Sequence, residues 1–225
     1  MSRQASVVVV VLAALMLSCS PAVDPRPAAD PVGRATARLG SPDLDERLAG
    51  IHELEGLMRR YQSPHQPAVM RALSAFVRTR TASCGAAPPK DVEVALSVLR
   101  HRDPDRDAGT VMDLHGACLA GIVMTYTDLV RANLGDTDLT GATVAGMALT
   151  GARLTGARLT GANLRQSVLV DVDLTGADLD GADLSSVRWS DDTRWPPEYE
   201  ELALAASSVD TDDYVIGELR LPDRQ

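Results

Sequence analysis

Between residues 112 and 191 the apolar positions recur every five residues. A helix repeats every 3.6 residues and a strand every 2, so neither places such positions on one face. The stretch "LTGARLTGARLTGANL", residues 149 to 164, repeats one five-residue phrase. The central apolar residue runs without a slip through Leu114, Leu119, Met124, Leu129, Leu134, Leu139, Val144, Leu149, Leu154, Leu159, Leu164, Leu169, Leu174, Leu179, Leu184 and Trp189. Two residues before each centre sits a small or apolar residue. Ala117, Ala132, Ala142, Ala152, Ala157, Ala162, Ala177 and Ala182 show the rule, with Thr127, Thr137 and Ser167 as variants. Two residues after the centre is often Gly. A repeat this regular governs the fold before any local element does. One inward side chain in five, with a small one beside it, requires the chain to turn a corner after each pair. Four corners close a square, whose backbone pairs with the next coil at about 4.8 Å. Gly and small polar residues suit the corners. The pattern therefore predicts a mainly β protein, a solenoid of about four coils with a ladder of leucines inside.

Upstream the spacing becomes helical. Leu44, Leu48, Ile51, Leu54 and Met58 share a face, with Asp43 as a cap. A second helix opens at Ser63 and Pro64 and carries Val69, Met70, Leu73, Phe76 and Val77. A third, near residues 90 to 100, carries Val92, Ala95, Leu96 and Leu99. Together they make a helical module over residues 41–103, small for independent stability. After Trp195, "PPEYEELALAAS" suits a short helix opened by prolines. "YVIGELRL", residues 214 to 221, has strand character. A solenoid exposes unpaired coil edges at both ends. The helical module and the 196–225 tail are its natural caps.

The N-terminus reads as an export signal. "ASVVVVVLAALML", residues 5 to 17, follows a single Arg. It is shorter than the roughly 20 residues of a spanning helix and suits a signal peptide over residues 1–19. It ends in "LSC", which resembles a bacterial lipoprotein box. That resemblance implies a lipid on Cys19 as the first residue of the mature chain, and so a membrane anchor. An uncleaved, membrane-associated apolar segment is the alternative. The Pro- and Ala-rich stretch 20–40 reads as a flexible tether.

"TDLVRANLGDTDL", "TGARLTGARLTGANL" and "TGADLDGADL" resemble the pentapeptide-repeat family, whose repeat is written A-(D/N)-L-x-x. The resemblance spans residues 112 to about 191. It implies a right-handed quadrilateral β-helix. The helical segment before the repeats and the "WSDDTRWPPE" exit resemble those of many bacterial members.

Residues twenty apart then stack. Asp138, Arg158 and Asp178 form one outer column, and Asn133, Arg153 and Asp173 another, so charge alternates from coil to coil. A further face carries Val130, Ala148, Thr150, Val168 and Val170. Either the protein's own helices or tail cover this apolar stripe, or it docks a partner protein. The net charge of −9 makes nucleic acid an unsuitable ligand. His52, His65, His101 and His115 are dispersed, and no phosphate loop, nucleophile elbow or metal-binding pair appears. The Asp178–Asp183 run lacks the Glu that a calcium loop needs. No cofactor, metal or catalytic residue is expected. Cys84 and Cys118 either pair after export or remain free thiols. These features describe a non-enzymatic, membrane-tethered scaffold or interaction module of unidentified partner. The family also contains DNA-mimicking gyrase inhibitors, an alternative that a short, exported, Arg-interrupted rod fits poorly.

Overall fold

A computed structural model of the chain describes residues 30–60, 64–84 and 87–223. The signal-like segment with Cys19 and residues 20–29 of the tether lie outside them. The elements in chain order are α1 (Pro31–Leu39), α2 (Leu44–Arg59), α3 (Gln66–Arg80), α4 (Lys90–Leu99), the solenoid, β1 (Arg188–Trp189), α5 (Pro197–Ala205), β2 (Ser207–Asp210) and β3 (Asp213–Ile216).

Each solenoid corner is a four-residue turn. At most corners the amide three residues after a centre donates to that centre's carbonyl, as from Ala117 to Leu114 (3.1 Å) and from Ala152 to Leu149 (2.7 Å), whereas the Met147 amide donates to the Ser167 hydroxyl (3.1 Å). The residue just before the closing amide holds φ between 51° and 69° at every repeat from 116 to 186. A type II turn demands positive φ at its third residue, which explains the recurring Gly. Between corners, parallel bridges join residues twenty apart, from Asp113–Asn133 to Val168–Arg188. Each side pairs one residue before the next corner, so the ladders form four columns of single bridges rather than long strands. The register slips once. Asp173 pairs with Arg194 instead of residue 193, so one residue is added between the inward Trp189 and Trp195.

All sixteen repeat centres are at most 5% exposed. Met112, Ile122, Met147, Val172 and Val187 fill the preceding inward position where Ala is absent, and they are buried too. Polar residues survive there because the neighbouring turn satisfies them. The Thr137 hydroxyl donates to the Leu134 carbonyl and the Ser167 hydroxyl to the Val144 carbonyl. Neither leaves a buried polar group unpaired.

Among the described residues the helical part contains four α-helices, not three. Residues 31–39 form α1 and are not tether. Val32, Ala35 and Leu39 recur at helical spacing and are buried, a period that Gly33 and the small residues between them obscure. α3 begins at Gln66, with Pro67 in its first turn, rather than at Ser63. Asp43 caps α2 by accepting from the amides of Asp45 and Glu46. Asp91, fully buried at the start of α4, binds Arg47 of α2 (2.6 Å) and Arg80 of α3 (3.2 Å). Loss of either arginine would leave carboxylate charge under-compensated in the interior.

Four contacts seat this module on the first coil, among them the ion pair of Arg78 of α3 with Asp113. Thr81, after α3, accepts from the Cys118 amide. Arg102, after α4, is 1% exposed in its side chain and donates to the Asp128 and Val130 carbonyls. Its guanidinium stands in for the coil that is missing below. Cys84 and Cys118 form a disulfide with Cα atoms 5.2 Å apart. At the other end β1, β3 and β2 make an antiparallel sheet in that order. Trp189 stacks on Tyr214 of β3 (4.5 Å) and meets Trp195 edge-on. The last residues run antiparallel to the final coil, where Leu184 donates to Leu219 and Leu221 to Ala182.

Leu154→Asp places a carboxylate in the ladder with no partner and should lower unfolding free energy by several kcal/mol, read by urea titration. The outward Thr155→Asp should change it by less than about 0.5 kcal/mol. Equal losses would mean that the inward register is wrong. Separately, Cys118→Ala opens a loop of sequence separation 34. Loop-closure entropy predicts a loss of about 3–4 kcal/mol, and dithiothreitol should reproduce it in wild type only.

Candidate docking faces

The outward position just before each centre explains the family's Asp or Asn. Eight of these residues are Asp or Asn, and each accepts from the amide two residues ahead. Examples are Asp138 to Thr140 (3.0 Å) and Asp173 to Thr175 (3.0 Å). The side chain tightens the corner that its own backbone enters, a local Asx-type turn. This modifies the charged columns. Asp138, Arg158 and Asp178 do stack, as do Asn133, Arg153 and Asp173. No ion pair within 4 Å joins the Arg153 or Arg158 side chain to its column neighbours among the described residues, because the carboxylates turn toward their own amides. Arg153 instead donates to the Thr155 hydroxyl (3.2 Å), and Arg165 pairs with Asp183 (3.3 Å).

Three of these carboxyls are held below their usual range. Burial alone would push Asp138 up, but the Thr140 hydroxyl and amide, aided by Arg158, outweigh it. At Asp173 the Thr175 hydroxyl leads, burial opposes it, and the Thr175 amide, Arg194 and Arg153 add to it. At Asp183 burial is again outweighed, by the Ser185 hydroxyl and amide and by Arg165.

The apolar stripe lies on one side of the rod. Asp128, Ala148, Val168 and Arg188 are bridged in sequence, and Val130, Thr150 and Val170 share the neighbouring register. Arg102 grips its lower end at the Val130 carbonyl, and Arg188 enters the terminal sheet at its upper end. Between those ends Val130, Ala148, Thr150, Val168 and Val170 stay partly exposed. A second face escaped the sequence reading. Val123 and Tyr126 are 74% and 77% exposed on the side that also carries Thr143, Asn163 and Asp183. Its one signal was Tyr126 in the slot that Gly usually fills.

The Asp178–Asp183 run is engaged internally. Asp178 binds the Asp180 amide and the Thr160 hydroxyl, and Tyr199 donates to Asp180. Among the described residues, no group of three or more His, Cys, Asp or Glu is placed to hold a metal. No described helix is long and apolar enough to cross a membrane.

The corners, the twenty-residue register and the buried ladder define a four-sided parallel β-solenoid. The family model "Pentapeptide repeats" matches eight copies in residues 113–144 and 148–185. The chain belongs to the pentapeptide-repeat family, whose fold is a right-handed β-helix. A pentapeptide repeat protein from Nostoc Pcc 7120 is 30% identical over 41% of this chain and 80% of its own, with a TM-score of 0.37. The pentapeptide repeat protein Rfr23 from the cyanobacterium Cyanothece 51142 is 35% identical over 37% of this chain and 60% of its own, with a TM-score of 0.34. No curated protein matches the chain.

An aspartate whose folded pKa is depressed stabilises the fold above its unfolded pKa of about 3.9, and that stability is lost as pH falls through the folded value. Thermal stability should therefore drop below about pH 4. The Asp138→Asn/Asp173→Asn/Asp183→Asn variant keeps the oxygen that closes each turn but cannot titrate. It should show a shallower acid loss, and an equal loss would assign the effect to other groups.

Proposed function

We propose that this chain is a non-enzymatic interaction module, exported and tethered to a membrane by a lipid on Cys19. The observation that carries the interaction role is the partly exposed stripe of Val130, Ala148, Val168 and Val170 on a rigid backbone lattice. A flat apolar strip between two polar ends suits a protein partner. Export draws independent support from the Cys84–Cys118 disulfide, since such bonds persist in oxidising compartments and are rare in reducing ones. The alternative, DNA mimicry, lacks a continuous acidic face, because Arg131, Arg153, Arg158 and Arg165 interrupt the wall.

Membrane fractionation and intact mass of wild type and Cys19→Ala test the tether. Wild type should sediment with membranes and begin at a diacylated Cys19, and the variant should lose that processing. A full-length, soluble wild-type chain would overturn the tethered reading.

A further inference from the structure

The first coil is capped on some sides and open on another. Thr81 meets its lower edge at Cys118, and Arg102 meets it at Asp128 and Val130. On the side between them, the N–H and C=O of Val123 meet no partner among the described residues. An unpaired edge is a template for another strand. Beside it, α4 and the coil enclose a crevice of about 290 Å³, whose lining includes Pro88, Leu96, Arg100, Ile122 and Met124. Arg100 is exposed and has no ion-pair partner among the described residues, whereas Glu93 on the same rim is taken by Lys90 (3.1 Å). Tyr126 completes the patch at φ 51°. Its ring lies over Gly146, where an added Cβ would stand 2.5 Å from it. Arg131 and Gln166 hold the same corner dihedral (57° and 59°), so Tyr126 is set apart by its place near Val123 rather than by strain.

We propose that this edge receives an extended segment of a partner protein, added as a strand beside Val123. One apolar side chain of the segment enters the crevice, a carboxylate meets Arg100, and Tyr126 swings its ring down from Gly146 of the coil above onto the segment. The unpaired amide and carbonyl select a polypeptide backbone, the crevice an apolar side chain, and the lone guanidinium an acidic one. Affinity from main-chain bonds with specificity from side-chain pockets is the logic of strand addition. The inference rests on the interaction-module reading but names a different surface from the Val168 stripe.

The test selects short linear peptides from a displayed library on the full chain. The enriched peptides should alternate apolar residues and carry an acidic one. They should slow hydrogen exchange at the Val123 amide. Tyr126→Gly and Arg100→Gln should each weaken binding roughly tenfold, with the melting temperature of Tyr126→Gly equal to or above wild type. A library that yields no binder overturns the proposal, as do binders indifferent to both substitutions. Binding that survives both but is lost in Val168→Asp overturns it while leaving the module reading intact. Concentration-dependent self-association lost in Tyr126→Gly replaces the partner by a second copy, through an edge such as β2 with its exposed Val209, and overturns the stated occupant.

Discussion

The corner turn is the constraint on which everything else depends. Each repeat must reverse direction by about a right angle within two residues and still send the next centre inward. A turn with positive φ two residues after the centre does this, closed at most corners by the bond from amide to centre carbonyl. Once every corner obeys that geometry, the five-residue period and the twenty-residue register follow. The inward pair is then one large side chain with a second, smaller one at most repeats and Met or Ile at Met112, Ile122 and Met147. The ladder needs no aromatic until its end, where Trp189 and Trp195 widen the core beneath the terminal sheet.

A stack of coils solves its interior and leaves its two edges unsolved. This chain treats them with different chemistry. The upper edge is met by backbone, as the tail lies against the last coil and β3 pairs with β1. The lower edge is met piecemeal, by a helix-terminal carbonyl, a buried guanidinium and a disulfide. Arg102 suits the task because its planar fork reaches two carbonyls of one coil side while Asp107 balances its charge. A cap assembled from separate side chains can leave backbone bare, as at Asp113 and Val123, whose N–H and C=O meet no partner among the described residues.

Most of the solenoid was legible because its signal is long and every copy repeats the same constraint. Single-occurrence features were harder to read. α1 was hidden because three apolar residues separated by Gly33, Arg34 and Thr36 do not advertise a helix until α2 offers a surface to bury them. β2 is a polar strand, "SSVD", that exists because β3 pairs with it. The extra residue before Arg194 has no periodic sign, since Trp189 and Trp195 fit a six-residue step as well as a fault in a five-residue one. The role of Asp and Asn in the corners was invisible for another reason. Spacing shows which way a side chain points, whereas the bond it makes with an amide two residues on depends on the turn. The apolar stripe was readable as soon as the register was known, but the bare edge at Val123 was not, because the register says nothing of what lies beneath the first coil.

The division of labour within the repeat bears on what the rod does. Stability resides in the inward pair, the corner φ and the Asx-type turns. The other outward positions hang on a rigid lattice and tolerate almost any residue, so the wall can change its chemistry at little cost in folding. Outward residues such as those of the Val168 stripe can therefore follow a partner's chemistry without loss of the fold. The corner position differs, because only Gly, and to a lesser degree Asp or Asn, adopts positive φ easily. Asp136 and Asp171 fall in the tolerated class, and Ser186 donates its amide to the tail. Arg131 and Gln166 (φ 57° and 59°) have neither excuse, and nor does Tyr126. Its amide bonds to Ala145 just as a glycine's would, and its ring is turned outward above a glycine. Tyr126 differs from Arg131 and Gln166 in its place, beside the bare edge at Val123 where the proposed strand would add.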